Sequence, residues 1–511
     1  LGFIKFDLLG LSTLEMIESA VGHVLNKYHG VENPTFDQIK QYYDENLHPD
    51  KIDLNDSEVY KNIFHKGKFV GVFQFTNGGA QRLAMKAKPN NIIDISAITS
   101  IYRPGPLSAN VDKSYVKAKN NPQDIQYAHD LVKEVTAETA GFMIFQEQIA
   151  LLAHKLGDQI TLDEGNKLRK LLTKKGTGKG HEEKDKIKEK FIRGCVAKSI
   201  DRATADSLWR NFEYFSGYGF NKSHAVAYSI ISYQCAWLLN YYPECWTAAF
   251  LDKEPESRKE SAISLAKKHG FDIRTVDINK SGSQWEVEGN VLIQPLNSIK
   301  GLGDKAIEQI MTHRPFSVIE DLLFSEDIIY SKLNKKALGS LALSGALDCL
   351  SDSRFKNRKH FWASCVEDRP KNKKKLDENI EAFESLEEFT KQERANHICN
   401  LTGLFPFDLV MTDDTTERLK ANMIPPLGSW DKDLKVAWFI PREVIKRKTK
   451  NGKDFWVIKT IDSTSTTLEI RCWGVTAYDR VSINTPYIAK LDYNDTWGFS
   501  TRSLGKNFRK V

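Results

Sequence analysis

Apolar positions change period several times along the chain, and each change predicts an element. Leu1 to Gly10 is a short strand-like run carrying Lys5 and Asp7, which period two puts on one face. Ser12 to Glu15 has the form of a capping box and predicts a helix through Val21. Residues 25–70 are charged and mixed. Gly71 to Arg82 predicts a strand-to-helix turn around Gly78 and Gly79, and Ile92 to Ile101 an apolar helix. Arg103-Pro104-Gly105-Pro106-Leu107 follows as a rigid turn that presents Arg103 in one direction. Phe145, Ile149, Leu152 and Leu156 share one helical face. Residues 182–205 read as a Lys- and Glu-rich solvated helix. Tyr228, Ile231, Cys235 and Leu238 mark a helix that begins near Asn221 and runs into apolar core between Trp237 and Trp246. From Ser261 to Leu350 the pattern becomes a short strand pair, a glycine-bearing turn and helices. Residues 350–395 are charge-rich, a linker plus exposed helix. From Lys435 to Trp473 period two returns, and Asn451-Gly452 between alternating apolar residues predicts a hairpin.

A chain of 511 residues allows about three or four domains. No run of eighteen apolar residues and no basic-then-apolar leader occurs, which argues against a membrane span and secretion. Seven scattered cysteines without a CxxC pair fit a reducing cytosol, not a zinc site or disulfide framework. Net charge is only +6, but it is localised: Lys435 to Val511 holds 15 Lys+Arg against 7 Asp+Glu. Lys167 to Arg193 holds 11 basic against 4 acidic residues. Such patches are the footprint of a nucleic-acid protein and also common on solvated helices. The chain opens on Leu1 in a strand-like run and reads as a piece of something longer.

The densest candidate chemistry is Phe215 to Tyr228, FSGYGFNKSHAVAY. Two glycines free the backbone, and four polar residues, Asn221, Lys222, Ser223 and His224, stand where a helix begins. A helix start offers free N–H groups and a positive dipole end to phosphate, and Lys222 adds a charge. An ordinary N-capped helix with a solvated lysine fits the spacing equally well. Ile299 to Gly303 is a hydrophobic-x-G-hydrophobic-G turn that can grip a phosphate backbone without reading sequence, or simply join two helices. Lys446 to Lys450, with Phe455, Trp456 and Trp473 nearby, offers charge and stacking faces to single strands; of Phe455 and Trp456, one must be core.

Several of these stretches, in this order, resemble family C DNA polymerases, the alpha subunits of bacterial DNA polymerase III. KFDLLGL at 5–11, RPGPL at 103–107, FQEQ at 145–148, GYGFNKSHAVAY at 217–228 and KLNKKALGSLALSGALD at 332–348 all match. The resemblance implies a multidomain chain: mostly α-helical fingers and helix-hairpin-helix region, an α/β palm remnant at the N-terminus and an OB-like β-barrel at the C-terminus. Its expected divisions are 1–20 (palm), 21–255 (fingers), 256–350 (helix-hairpin-helix), 351–425 (charged linker and helices) and 426–511 (OB-like). It implies a DNA-directed DNA polymerase, with Asp7 as catalytic aspartate and metal ligand and Lys5 beside it. Two Mg2+ ions would be completed by a D-x-D pair outside this chain, so the chain alone would be inactive. It puts Arg103, Arg169, Lys170, Asn221 and Lys222 at the incoming triphosphate and Ser223 and His224 at the sugar. At the second basic position the family more often has arginine, so Lys170 keeps the charge without the fork. Lys300, Gly301, Gly303 and Lys305, with Lys446, Lys448 and Lys450, would bind DNA. Implied partners are primer-template, dNTPs, the N-terminal polymerase portion and the sliding clamp, for which 350–395 holds no convincing binding peptide. The implied location is the cytoplasm of a bacterial or phage-infected cell. The competing reading is a non-catalytic DNA-binding module.

Overall fold

Helix follows the apolar period closely in the first of the two units into which the chain divides, Leu1–Thr247. The computed structural model describes residues 10–108, 110–173, 179–216, 219–449, 451–464, 467–476, 479–494, 497–502 and 504–511. Lys5, Asp7 and Lys450 therefore lie outside the described residues, as does the expected palm strand.

Helix α1 (Ser12–His29) buries Met16, Ile17, Ala20, Val21, Val24 and Leu25. Its N-cap is Leu11, in extended backbone with no side-chain cap. The capping box expected at Ser12 is not formed, because Ser12 is already helical. The helix also overruns Val21, since Val24 and Leu25 continue the apolar face to the left-handed stop at Gly30. Asn77 caps α2 (Gly78–Ala87), but turns rather than a strand precede it. Helix α3 (Ile92–Ile101) has the expected bounds and is buried on nearly every side, as its lack of a polar face requires. The prolines after it form a helical turn, Pro104–Ser108. Helices α4 (Gln146–Leu156) and α5 (Leu162–Thr173) follow. The stretch expected as one solvated helix is two, Lys179–Ala197 and Arg202–Ser216, broken where Ser199 takes a positive φ. Phe191, Trp209 and Phe212 from them share a core, so charge on one face concealed an apolar stripe on the other. Helix α6 (Lys222–Tyr241) packs on α3, with Ser96 Oγ donating to Ser229 Oγ at 2.9 Å.

Among the described residues the second unit, Ala248–Val511, holds two sheets. In the smaller, β1 (Asp272–Arg274) pairs parallel with β3 (Val291–Ile293), which pairs antiparallel with β2 (Glu286–Glu288). Leu296, Ile299, Leu302, Ile307 and Ile310 around α7 (Asp304–His313) share a core with Leu338 and Leu341 of α8 (Lys335–Ser344). Phe355, Phe361, Cys365, Val366 and Leu376 lie in that same core. The stretch expected as linker and exposed helix is thus folded onto the hairpin region; its charges outnumber, without removing, the apolar positions. Helix α9 (Lys391–Thr402) follows.

The larger sheet comprises β4 (Val436–Lys448), β5 (Asp454–Ile461), β6 (Thr467–Trp473), β7 (Tyr487–Lys490), β8 (Asp492–Asn494), β9 (Gly498–Arg502) and β10 (Phe508–Lys510). Their order is β10-β7-β4-β5-β6-β9-β8, with β6 and β9 parallel and the other pairs antiparallel. Strand β4 serves both sides: residues 436–439 pair with β7, and residues from 440 on pair with β5 across a register shift at Pro441. A bulge there bends the strand and curls the sheet. The expected Asn451-Gly452 hairpin joins β4 to β5, with Thr449 N–H donating to Lys453 O at 2.9 Å. Among the described residues no helix is long and apolar enough to cross a membrane.

Candidate functional site

Two segments far apart in sequence meet at the starts of α4 and α6. Phe220 N–H donates to Ile144 O at 3.0 Å and Gln146 N–H to Phe220 O at 2.9 Å, a short parallel bridge. Gln148, buried, locks this bridge in place. Its Oε1 accepts from the N–H groups of Ile144 (2.8 Å) and Phe145 (3.0 Å), and its Nε2 donates to Val135 O (3.1 Å) and Thr139 Oγ1 (2.8 Å). Four backbone and side-chain groups that would be costly to leave unpaired are satisfied by one amide.

Asn221 caps α6 as expected: its Oδ1 accepts from His224 N–H at 2.9 Å and from Ser223 Oγ at 2.7 Å. Its Nδ2 donates to Glu147 Oε1 at 3.0 Å, while Lys222 N–H donates to Glu147 Oε2 at 2.9 Å. The helix start that could receive phosphate thus holds a carboxylate of this chain, where free N–H groups and the dipole favour negative charge. Arg169 of α5 approaches the same carboxylate at 3.8 Å and donates from Nη1 to Gln146 Oε1 at 3.0 Å. Gln146 Nε2 completes the ring with Gly219 O at 2.8 Å. Gly165 lets α5 come this near: a Cβ there would lie 2.6 Å from Ala150 O. Arg169 Nε is buried and has no hydrogen-bond partner among the described residues.

Lys222 Nζ donates to both oxygens of Glu138, at 2.7 and 2.8 Å. Beside it runs a column of groups in contact. The Arg103 guanidinium lies 3.9 Å from the centre of the Phe220 ring, Phe220 meets His224 edge-on at 5.4 Å, and His224 lies 4.1 Å from Tyr228. Arg103, Ser223 and His224 are exposed, as is Lys170 next to Arg169. Of the seven residues expected at the nucleotide, Asn221, Lys222 and Arg169 therefore converge on Glu147, and Arg103 and His224 meet at Phe220. Glu138, Gln146, Glu147 and Phe220 were not expected as site residues. Gln146 and Glu147 stood in a noted motif, but their partners lie 73 to 75 residues away.

In the second unit, Gly301 adopts φ +89°, a conformation that favours glycine, between a 3-10 turn (Leu296–Ser298) and α7. The hairpin expected between two helices has a full helix on one side only. Lys300 N–H donates to Leu401 O at 2.8 Å and its ammonium pairs with Glu256 at 2.8 Å; Gly303 and Lys305 are exposed at the start of α7. On the larger sheet, alternation separates two sets of residues. Trp456 is core, with Lys446 Nζ 5.6 Å from its ring centre. Phe455 instead stacks on Trp473, centroids 4.7 Å apart and planes at 23°, in an open cleft of about 640 Å3 that Arg447, Lys448, Arg471 and Trp497 also line.

Among the described residues no group of three or more His, Cys, Asp or Glu could hold a metal ion. Asp7, expected as a metal ligand, lies outside the described residues.

A family model, bacterial DNA polymerase III alpha subunit finger domain, matches residues 31–199, and a helix-hairpin-helix motif model matches 270–357. Both matches fall on folded, mostly helical segments, so the chain is a multidomain protein with a fingers region and a helix-hairpin-helix region. Relatives named DNA polymerase III subunit alpha extend the match. That of Borreliella burgdorferi is 34% identical over 387 residues, 74% of this chain and 31% of its own. That of Aquifex aeolicus is 30% identical over 476 residues, 91% of this chain and 38% of its own. The chain belongs to the family of bacterial DNA polymerase III alpha subunits, as a C-terminal portion, and spans about a third of the length of these relatives.

Proposed function

We propose that this chain is the nucleotide- and DNA-binding portion of a replicative DNA polymerase and joins dNTPs to a primer only with an N-terminal portion that supplies the D-x-D pair. The observation that carries this reading is the convergence of Arg169 and the N–H of Lys222, at the start of α6, on the anion position held by Glu147, with the Lys222 ammonium on Glu138 and the Arg103–Phe220–His224 contacts beside them. A triphosphate suits the cations, and in this reading His224, exposed beside Phe220, would reject a 2′-hydroxyl by contact. With Asp7 as one ligand, two Mg2+ ions would supply activation of the primer 3′-hydroxyl and neutralise the leaving pyrophosphate. Gly301, Gly303 and Lys305 hold duplex backbone in this reading, with Lys300 beside them. The larger sheet serves as an OB-like platform for single strands, with Lys446, Lys448 and Lys450 near its hairpin.

The test is primer extension with Mg2+, dNTPs and labelled primer-template, with and without an N-terminal palm fragment. Extension only in the mixture, abolished by Asp7→Asn, is expected. Extension by the 511-residue chain alone would overturn the dependence on a second portion. No extension in either case, with DNA binding intact, would favour the second reading, a DNA-binding module, for which the Phe455–Trp473 stack speaks.

A further inference from the structure

We propose that Glu138 is an affinity-setting residue of the anion position: its carboxylate is an internal competitor that holds Lys222, and a polyphosphate must displace it to bind. This rests on the reading of Lys222 as a triphosphate ligand.

Two acids face the cations here, and they differ in how firmly they are held. Glu147 accepts from Asn221 Nδ2 and Lys222 N–H, and lies in the segment bridged to Phe220. Removing it would undo the start of α6, so it is a positioning residue. Among the described residues the Glu138 carboxylate pairs only with the far end of a flexible side chain, Lys222 Nζ, through both oxygens. Its side chain is 35% exposed and that of Lys222 32%, so water and ligand reach the pair. Yet Glu138 is not adrift. It lies in a 3-10 turn, Ala137–Thr139, whose neighbours Val135 and Thr139 are both tied to Gln148, the amide that also fixes the Phe145 end of the bridge. One buried side chain thus sets the distance between the competitor and the cation it occupies. An ion pair this exposed is weak and screened by salt, which suits a contact that must open each time a ligand enters. A weak competitor lowers affinity by a small factor and raises selectivity, because only a ligand of higher charge than a carboxylate displaces it readily.

The test is a double-mutant cycle on the 511-residue chain, read by calorimetric titration with dATP and, separately, with inorganic tripolyphosphate at low and high salt. Lys222→Ala should bind about tenfold more weakly, as expected for loss of a charge-assisted contact. Glu138→Gln should bind both probes about three- to fivefold more tightly at low salt, with the gain shrinking as salt rises. In the Lys222→Ala background, Glu138→Gln should change nothing. If Lys222→Ala binds like the wild type, or no variant binds, Lys222 is not a triphosphate ligand and both readings fall. If Lys222→Ala weakens binding but Glu138→Gln does not strengthen it, the inference alone is overturned. A gain that persists in the Lys222→Ala background would also overturn it, since the effect would then be the general field of one removed charge. Glu138→Gln lies on a surface turn, and its thermal transition should match the wild type.

Discussion

The start of α6 and the outer face of the larger sheet both gather cations beside aromatic rings, but they dispose of the charge differently. At α6 each inward cation already has a partner of this chain: Arg169 has Gln146 and Glu147, Lys222 has Glu138. On the sheet, Arg447 and Arg471 stand beside the Phe455–Trp473 stack with no ion pair among the described residues. Acids that fix cations in place give geometry at the expense of field strength, which suits one small ligand in one pose. Open arginines around a stack give field and π-surface without a fixed pose, which suits a strand of any sequence. On the proposed function, the same residue types would support selection in one region and tolerance in the other.

That contrast breaks most readily at Arg169. Arg169→Ala removes a charged donor and leaves Gln146 Oε1 unpaired, so affinity for dATP should fall roughly 10- to 100-fold. Arg169→Lys should lie between, since it keeps the charge and loses the fork. Titration of both variants checks this; equal affinity in Arg169→Lys and wild type would mean that charge alone matters there. Next in size, Phe455→Ala with Trp473→Ala should weaken binding of a short single-stranded oligonucleotide about tenfold, at the lower end of what stacked bases contribute. Fluorescence anisotropy reads it, and dATP binding should not move. An effect on both ligands would mean that the two regions do not act separately.

Much of this was legible in the sequence, for a definite reason. Bounds of helices such as Ile92–Ile101, the Asn221 cap and the Asn451-Gly452 turn depend on neighbours within a few residues, which local pattern records. What escaped depends on contacts across the fold. Glu147 and Asn221 are 74 residues apart, and Glu138 and Lys222 are 84 apart, so no local pattern marks either acid as part of a cation site. Phe355 to Leu376 escaped because the charge around them outweighs a sparse apolar set that only the hairpin core completes. On β4 to β6, charge drew notice to Lys446, whereas strand register gives Arg447, not Lys446, to the stacking pair: Arg447 is paired with Phe455 and Phe455 with Trp473.

The helix-hairpin-helix turn offers a third case and smaller effects. Gly301→Ala forces a side chain into left-handed backbone, with its Cβ 3.2 Å from Ser340 Oγ and 3.3 Å from Lys336 Cε. A cost of about 1–2 kcal/mol is expected, read as a fall in Tm of roughly 2–8 °C with a severalfold loss of duplex affinity. The smallest effect should be at Lys300. Its backbone N–H is committed to Leu401 O and its ammonium is shared with Glu256, both side chains more than half exposed. If, as proposed, the turn grips through backbone donors and Lys300 only adds field, Lys300→Ala should cost duplex affinity less than about threefold and lower the salt slope by no more than about one ion. A loss above tenfold at unchanged Tm would mean that Glu256 yields Lys300 to DNA. The hairpin would then resemble the start of α6, where an exposed acid holds the cation until a stronger anion arrives, rather than the open face of the sheet.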